Sequence, residues 1–233
     1  MATEINIVDI DALHQTYTVS FFDDLIHTTV TADADTVARW ISEIERPNLY
    51  IAGLSIHFRD SDSEYDYLTI TSLELCVGGR CLVYQLDLVV DRNHPQALVD
   101  FVGSGEYTFA GVIFPDLKIL DEQHGLNIPE KYLVELRILT TDRYYGRKDL
   151  GSLRFLDAGL RELGETVLER ELADLTEIVN LSWWDSWRLT SEQVKVASVE
   201  VFVSFEIGRI LEAREYMHKN LETKLASLIN LDN

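Results

Sequence analysis

An α/β fold, with a mixed central sheet of about five strands flanked by helices, is what the sequence predicts. Segment 51–60, IAGLSIHFRD, places apolar Leu54, Ile56 and Phe58 at period two, which is strand patterning. From Ser191 onward, apolar residues recur at helical spacing behind Thr190 and Gln193, which fit a capping box. The chain has 233 residues and is 46% hydrophobic, enough to bury one core and too short to require two domains.

Taken in order, TYTVSFFDDLIHTTVT (16–31) alternates on either side of Asp23 and Asp24 and reads as a hairpin. A helix follows, capped by Asp33 or Asp35, with Val37, Trp40, Ile41 and Ile44 on one face. The strand at 51–60 should leave Ser55 and His57 together on the face opposite its apolar residues. Strands through LTITSLELCV and RCLVYQLDLVV flank a Gly-Gly turn that sets Cys76 across from Cys81. In a reducing compartment such a pair stays as free thiols, and two cysteines alone make a poor zinc site. Pro95 opens a short helix, YTFAGVIF is a buried strand, and a helix through PDLKILDEQHG ends at Gly125. YLVELRIL is either a strand or a strand running into a helix; helical periodicity then fills LRFLDAGLRELGETVLERELA. The last helix has Val194, Ala197, Val201 and Phe205 on its core face. Its apolar pattern continues through Leu211, Met217, Leu221, Leu225 and Leu228, surface that packs on the domain or on another subunit.

A formal net charge of −20 opposes nucleic-acid binding at long range, because affinity for phosphate comes from Lys and Arg. The best local basic patch is Arg143, Tyr144, Tyr145, Arg147 and Lys148, which mixes cations with stacking surfaces as single-strand binders do; a solvated loop is the simpler reading. The run Asp60, Asp62, Glu64, Asp66 resembles a cation loop but has Tyr65 where a calcium loop needs Gly, so a solvated acidic loop is expected. Trp183, Trp184 and Trp187 could stack bases, although anchoring the segment before the long helix explains them as well. No apolar run approaches the roughly 20 residues of a membrane span, and the acidic start MATEINIVDID is unlike a targeting peptide, so a cytoplasmic or nuclear location is expected.

Five segments together resemble the plant Werner-like, DnaQ-type 3′-to-5′ exonuclease domains of the RNase H-like superfamily: YTVSFFDDLIHTTVT, IAGLSIHF, LELCVGGRCLVYQLDL, TFAGVIFPDLKIL and LSWWDSWRLTSEQVKVASVEVFVSFEIGRIL. The likeness covers residues 16–211, leaving 1–15 as an N-terminal extension and 212–233 as a helical tail. It implies a site of four carboxylates holding two Mg²⁺ or Mn²⁺ ions for in-line phosphodiester hydrolysis of single-stranded RNA or DNA.

On the family's pattern, the first Asp and Glu fall at Ser55 and His57, neither of which brings negative charge at pH 7. Asp116 falls at the second Asp, one residue earlier after TFAGV than usual, and Glu200 stands in place of the third. Val196 and Lys195 occupy the positions of the Tyr or His that orients the attacking water. The resemblance therefore implies a degenerate exonuclease acting as a binding or assembly module, with no metal or weakly bound Mg²⁺ or Mn²⁺. The alternative it leaves is an active nuclease in which Asp116 and Glu200 hold one metal and His57 serves as base, or in which a neighbouring subunit completes the site. A lone imidazole on a half-buried strand is more often a hydrogen-bonded core residue, and Ser55 with His57 lacks the third member of a hydrolase triad. A homo-oligomer, single-stranded nucleic acid or a protein are the expected partners.

Overall fold

The structure is a computed structural model and describes residues 3–11, 13–44, 50–59, 69–90, 93–112, 117–146, 155–172, 184 and 186–229, without the side chains of 222–229. Eight strands form one mixed sheet in the order β1-β2-β3-β6-β5-β4-β7-β8. They are β1 (Glu4–Ile10), β2 (His14–Phe21), β3 (Asp24–Thr31), β4 (Ile51–Arg59), β5 (Thr69–Val77), β6 (Arg80–Gln85), β7 (Thr108–Gly111) and β8 (Leu133–Glu135). The helices are α1 (Ala34–Ser42), α2 (Gln96–Gly103), α3 (Leu117–His124), α4 (Leu136–Tyr145), α5 (Leu160–Leu168), α6 (Ser191–Ile210) and α7 (Ala213–Ile229).

The α/β layout agrees with the sequence reading, but the sheet is wider than about five strands. The expected hairpin, β2 and β3, joins the same sheet through parallel pairing of β3 with β6, and Glu4–Ile10 adds an antiparallel edge beside β2. From β6 through β5 to β4 the pairing is antiparallel; β7 and β8 continue in parallel from β4. YLVELRIL is resolved as a strand running into a helix, the three-residue β8 followed by α4.

Both faces of the sheet are covered. One apolar cluster joins Val37 and Trp40 of α1, Leu98 and Phe101 of α2 and Leu120 of α3 to Leu54, Leu73, Leu75 and Leu82 of the sheet. The other joins Leu139 of α4, Leu163 and Val167 of α5 and Val199, Val201, Val203, Phe205 and Ile207 of α6 to Ile51, Cys76 and Cys81. Each fully buried aliphatic or aromatic side chain contributes roughly 1.5–3 kcal/mol, so the two clusters account for the order of the layers. Strand alternation sends Ile51 to the α6 side and Leu54 to the opposite side, so the apolar residues of β4 serve both faces. Cys76 and Cys81 are register partners, both buried and both free thiols.

α6 sets the geometry of the site. Asp33 caps α1 and Thr190 caps α6; in α6 the reciprocal bonds of Thr190 and Gln193 are both present, which satisfies two orphan N–H donors and fixes where the helix begins. Val194, Ala197, Val201 and Phe205 are all buried, as their spacing requires. The helix lies on β4 with backbone nearly touching backbone: a Cβ at Gly53 would stand 2.2 Å from the Val201 carbonyl oxygen and 2.8 Å from the Phe205 nitrogen. Past Gly208 the chain breaks at Glu212, which takes φ 55°, and α7 returns to pack Met217 against the sheet.

Candidate functional site

β4 and β5 meet so that Ser55 is directly opposite Glu74 and His57 directly opposite Ser72. His57 and Glu74 are therefore diagonal neighbours on the sheet face covered by α6, where Cβ atoms of such pairs lie within reach of long side chains. The Gly53 contact brings Glu200 over the same face. His57 Nδ1 is 3.1 Å from Glu74 Oε1, and His57 Nε2 is 3.1 Å from Glu200 Oε2. Both ring nitrogens thus face a carboxylate oxygen, although the angle at Nδ1 falls short of a hydrogen bond.

The environment of the imidazole is closed. Trp184 stacks on it with ring centroids 3.7 Å apart and planes at 22°, and the His57 side chain is 14% exposed. Glu74 is fully buried and accepts a 2.6 Å hydrogen bond from Ser72 Oγ. Burial alone would favour neutral imidazole, but attraction to Glu74 and the hydrogen bond to Glu200 outweigh it and push the His57 pKa up to about 10. At neutral pH the centre is an imidazolium between two carboxylates.

The structure brings together His57 and Glu200 of the sequence-derived site and adds Glu74, which the sequence reading did not single out. Asp116 lies outside the described residues, as do Asp60, Asp62, Glu64, Asp66 and Trp183. Ser55 shares the His57 face, and Val196 is buried in α6. The basic patch is elsewhere, on α4 beyond the edge strand β8, and Arg147 and Lys148 fall outside the described residues. Arg143 donates 3.0 Å to the Leu211 carbonyl and pairs with Glu212 at 3.2 Å, closing the end of α6. Tyr144 donates to the Thr166 carbonyl at 3.3 Å, and Tyr145 leans on Phe155 with centroids 5.9 Å apart. Those contacts give Arg143 and the two tyrosines structural roles at the α4, α5 and α7 junction.

No protein-family model matches the sequence, and no curated protein matches it. Solved structures do resemble it. The Nibbler EXO domain of Aedes aegypti superposes with a TM-score of 0.60 at 14% identity, over 79% of this chain and 86% of that one. Escherichia coli RNase D, an exoribonuclease involved in structured RNA processing, gives 0.60 at 15% identity over 86% of this chain. The fold is the one these structures share. The catalytic core of RRP6 from Trypanosoma brucei matches similarly, with a TM-score of 0.59 at 11% identity over 84% of this chain. The chain spans 49% of the RNase D chain and 49% of the RRP6 core.

The resemblance implies a pair of divalent ions, and among the described residues the carboxylates gathered at this centre, Glu74 and Glu200, both face the His57 ring. Two such ions bring a charge of +4, and hard cations take hard oxygen ligands. On the resemblance, the first Asp and Glu positions are Ser55 and His57 of β4, and Glu200 Oε2 is 3.1 Å from His57 Nε2. Glu74 meets Ser72 and His57 through Oε1 alone, and its Oε2 is buried with no hydrogen-bond partner among the described residues. A separate trio, Asp9, Asp11 and His14, lies close enough to share an ion, but it is exposed near the β1 edge and far along the sheet from β4.

Proposed function

We propose that this chain is a catalytically retired 3′-to-5′ exonuclease domain that serves nucleic-acid metabolism as a binding or assembly module. The observation that carries the reading is the place of His57: an imidazolium occupies the space between Glu74 and Glu200, where the family pattern would have a carboxylate reaching for metal. One organic cation neutralises two carboxylates there, and Trp184 caps it against solvent. Removing that cation would leave buried negative charge uncompensated, so folding itself selects for the imidazolium. The fold survives because its stability comes from the two apolar clusters and the caps, none of which needs the metal ligands.

Incubation with single-stranded RNA and DNA oligonucleotides in Mg²⁺ or Mn²⁺ tests this directly, and no trimming above a protein-free control is expected. Trimming that disappears in Glu200→Gln would overturn the proposal and establish an active, non-standard site. A paired experiment converts the site: in Ser55→Asp with His57→Glu, two new carboxylates join Glu74 and Glu200 and the ion-paired ring is gone. Millimolar Mn²⁺ should then raise the melting temperature of that variant by several degrees and leave the parent unmoved, since a ligand stabilises only the form that binds it. As an assembly module the chain would form homo-oligomers; a sedimentation mass of 26.7 kDa at micromolar concentration would argue against that part.

A further inference from the structure

We infer that the chain carries a second site, for a free mononucleotide, in a cavity of about 220 Å³ toward the β1 side of the sheet, between β2, β3, the end of β6 and residues 186–188. The inference does not depend on whether the His57 centre is retired. Its starting point is the contrast between two tryptophans of one loop. Trp184 is 7% exposed and packs on His57, whereas Trp187 is 68% exposed and stands on the wall of this cavity. An indole face left in water on the wall of a cavity is a stacking platform for a planar ring, and any nucleobase has such a face.

The platform is held in place before any ligand arrives. Gln85, at the end of β6 and only 5% exposed, donates from Nε2 to the Ser186 carbonyl at 2.9 Å, tying the loop to the sheet. Little ordering is then left for the ligand to impose, which favours binding.

The charges around the cavity select the class of ligand. Asp11 accepts the Leu13 and His14 N–H groups at 2.7 Å each and also faces the His14 ring, and Asp33 accepts the N–H and hydroxyl of Thr36. These bonds orient both carboxylates but leave them charged, so the lining admits a phosphate only beside Arg188. Arg188 lines the same cavity and, among the described residues, makes no ion pair. A guanidinium that makes no ion pair among the described residues, beside a stacking surface, suits a planar ring that carries one phosphate. The volume suits one base, being below the roughly 300–1,000 Å³ of pockets for larger ligands. A strand would bring further phosphates past Asp11 and Asp33 and onto a chain of net charge −20, so the free nucleotide is favoured over a strand end.

Calorimetric titration of the full chain with adenosine 5′-monophosphate, adenosine and an adenylate pentanucleotide tests the site. The expected order is monophosphate tighter than adenosine and tighter than the pentanucleotide at low salt. Trp187→Ala should weaken the monophosphate about tenfold or more, with Trp187→Phe in between. Arg188→Ala should bring the monophosphate down to the affinity of adenosine and leave adenosine unchanged. Wild-type affinity in Trp187→Ala, no heat and no shift of the Trp187 indole N–H resonance at millimolar monophosphate, or tightest binding by the pentanucleotide would each overturn the inference.

Discussion

His57 holds a proton between two acidic side chains, Glu74 and Glu200. Its imidazolium is favoured in the folded chain, with a pKa of about 10, against about 6.5 for an unperturbed histidine. The folded value lies above the unfolded value. The charged pairings therefore stabilise fully below pH about 6.5, and their contribution fades as pH rises through 10. In His57→Gln that contribution is absent. Between pH 6.5 and 9.5 the parent should lose stability relative to the variant by about 1 kcal/mol per pH unit, measured by urea unfolding. Parallel profiles in the two proteins would show that folding retains no proton at His57. His57 and Glu200 were singled out from the sequence and meet in the structure, but the partner Glu74 was not singled out. It sits in LTITSLELCV, where eight of its neighbours along the strand are buried or nearly so and a single Glu looks like an outward-facing residue. The readable signal was the carboxylate itself, since a charge inside a strand buried on both faces requires a cation.

At the scale of elements, everything in the site depends on how closely α6 approaches β4. Gly53 permits that approach, and Gly53→Ala would drive a Cβ into the Val201 carbonyl at 2.2 Å. Backbone cannot step aside as a flexible side chain can, so the cost should reach or exceed the upper end of about 1–3 kcal/mol seen for overpacking. The displaced helix should also carry Glu200 away from His57, which would appear in an NMR titration as a fall in the His57 pKa. Gly103→Ala is the control: it stands at the end of α2 with open space around it, and is expected to be neutral or stabilising by up to about 1 kcal/mol. A destabilisation equal to that of Gly53→Ala would refute the close-approach argument. The elements themselves were largely readable, because the α1 and α6 caps, the Gly-Gly turn and the core face of α6 are local signals. β1 was not, for a physical reason. Six of its seven residues are exposed, so no buried face imprinted a pattern, and pairing with the adjoining β2 is what makes it a strand.

For the molecule as a whole, the excess of acid over base decides how salt acts. Forty Asp and Glu face twenty Lys and Arg. Folding crowds these charges together, and the resulting self-repulsion destabilises the compact state. Opposing it are ion pairs such as Arg80–Glu43, Lys118–Glu122 and Arg143–Glu212, whose side chains are largely exposed and which contribute about 0–1 kcal/mol each. Salt weakens both terms, since about 0.5 M shortens the screening length to a few ångströms. Twenty uncompensated charges outweigh a handful of weak pairs, and the enclosed His57 group is screened least. Raising NaCl from about 0.02 to 0.5 M should therefore move the urea midpoint upward, by on the order of 1 kcal/mol in stability. Urea is the right denaturant because guanidinium would itself screen, and chloride is preferred to sulfate because sulfate strengthens apolar burial independently. A midpoint that stays flat or falls would mean that the surface pairs, and not the net charge, dominate the electrostatics of this fold.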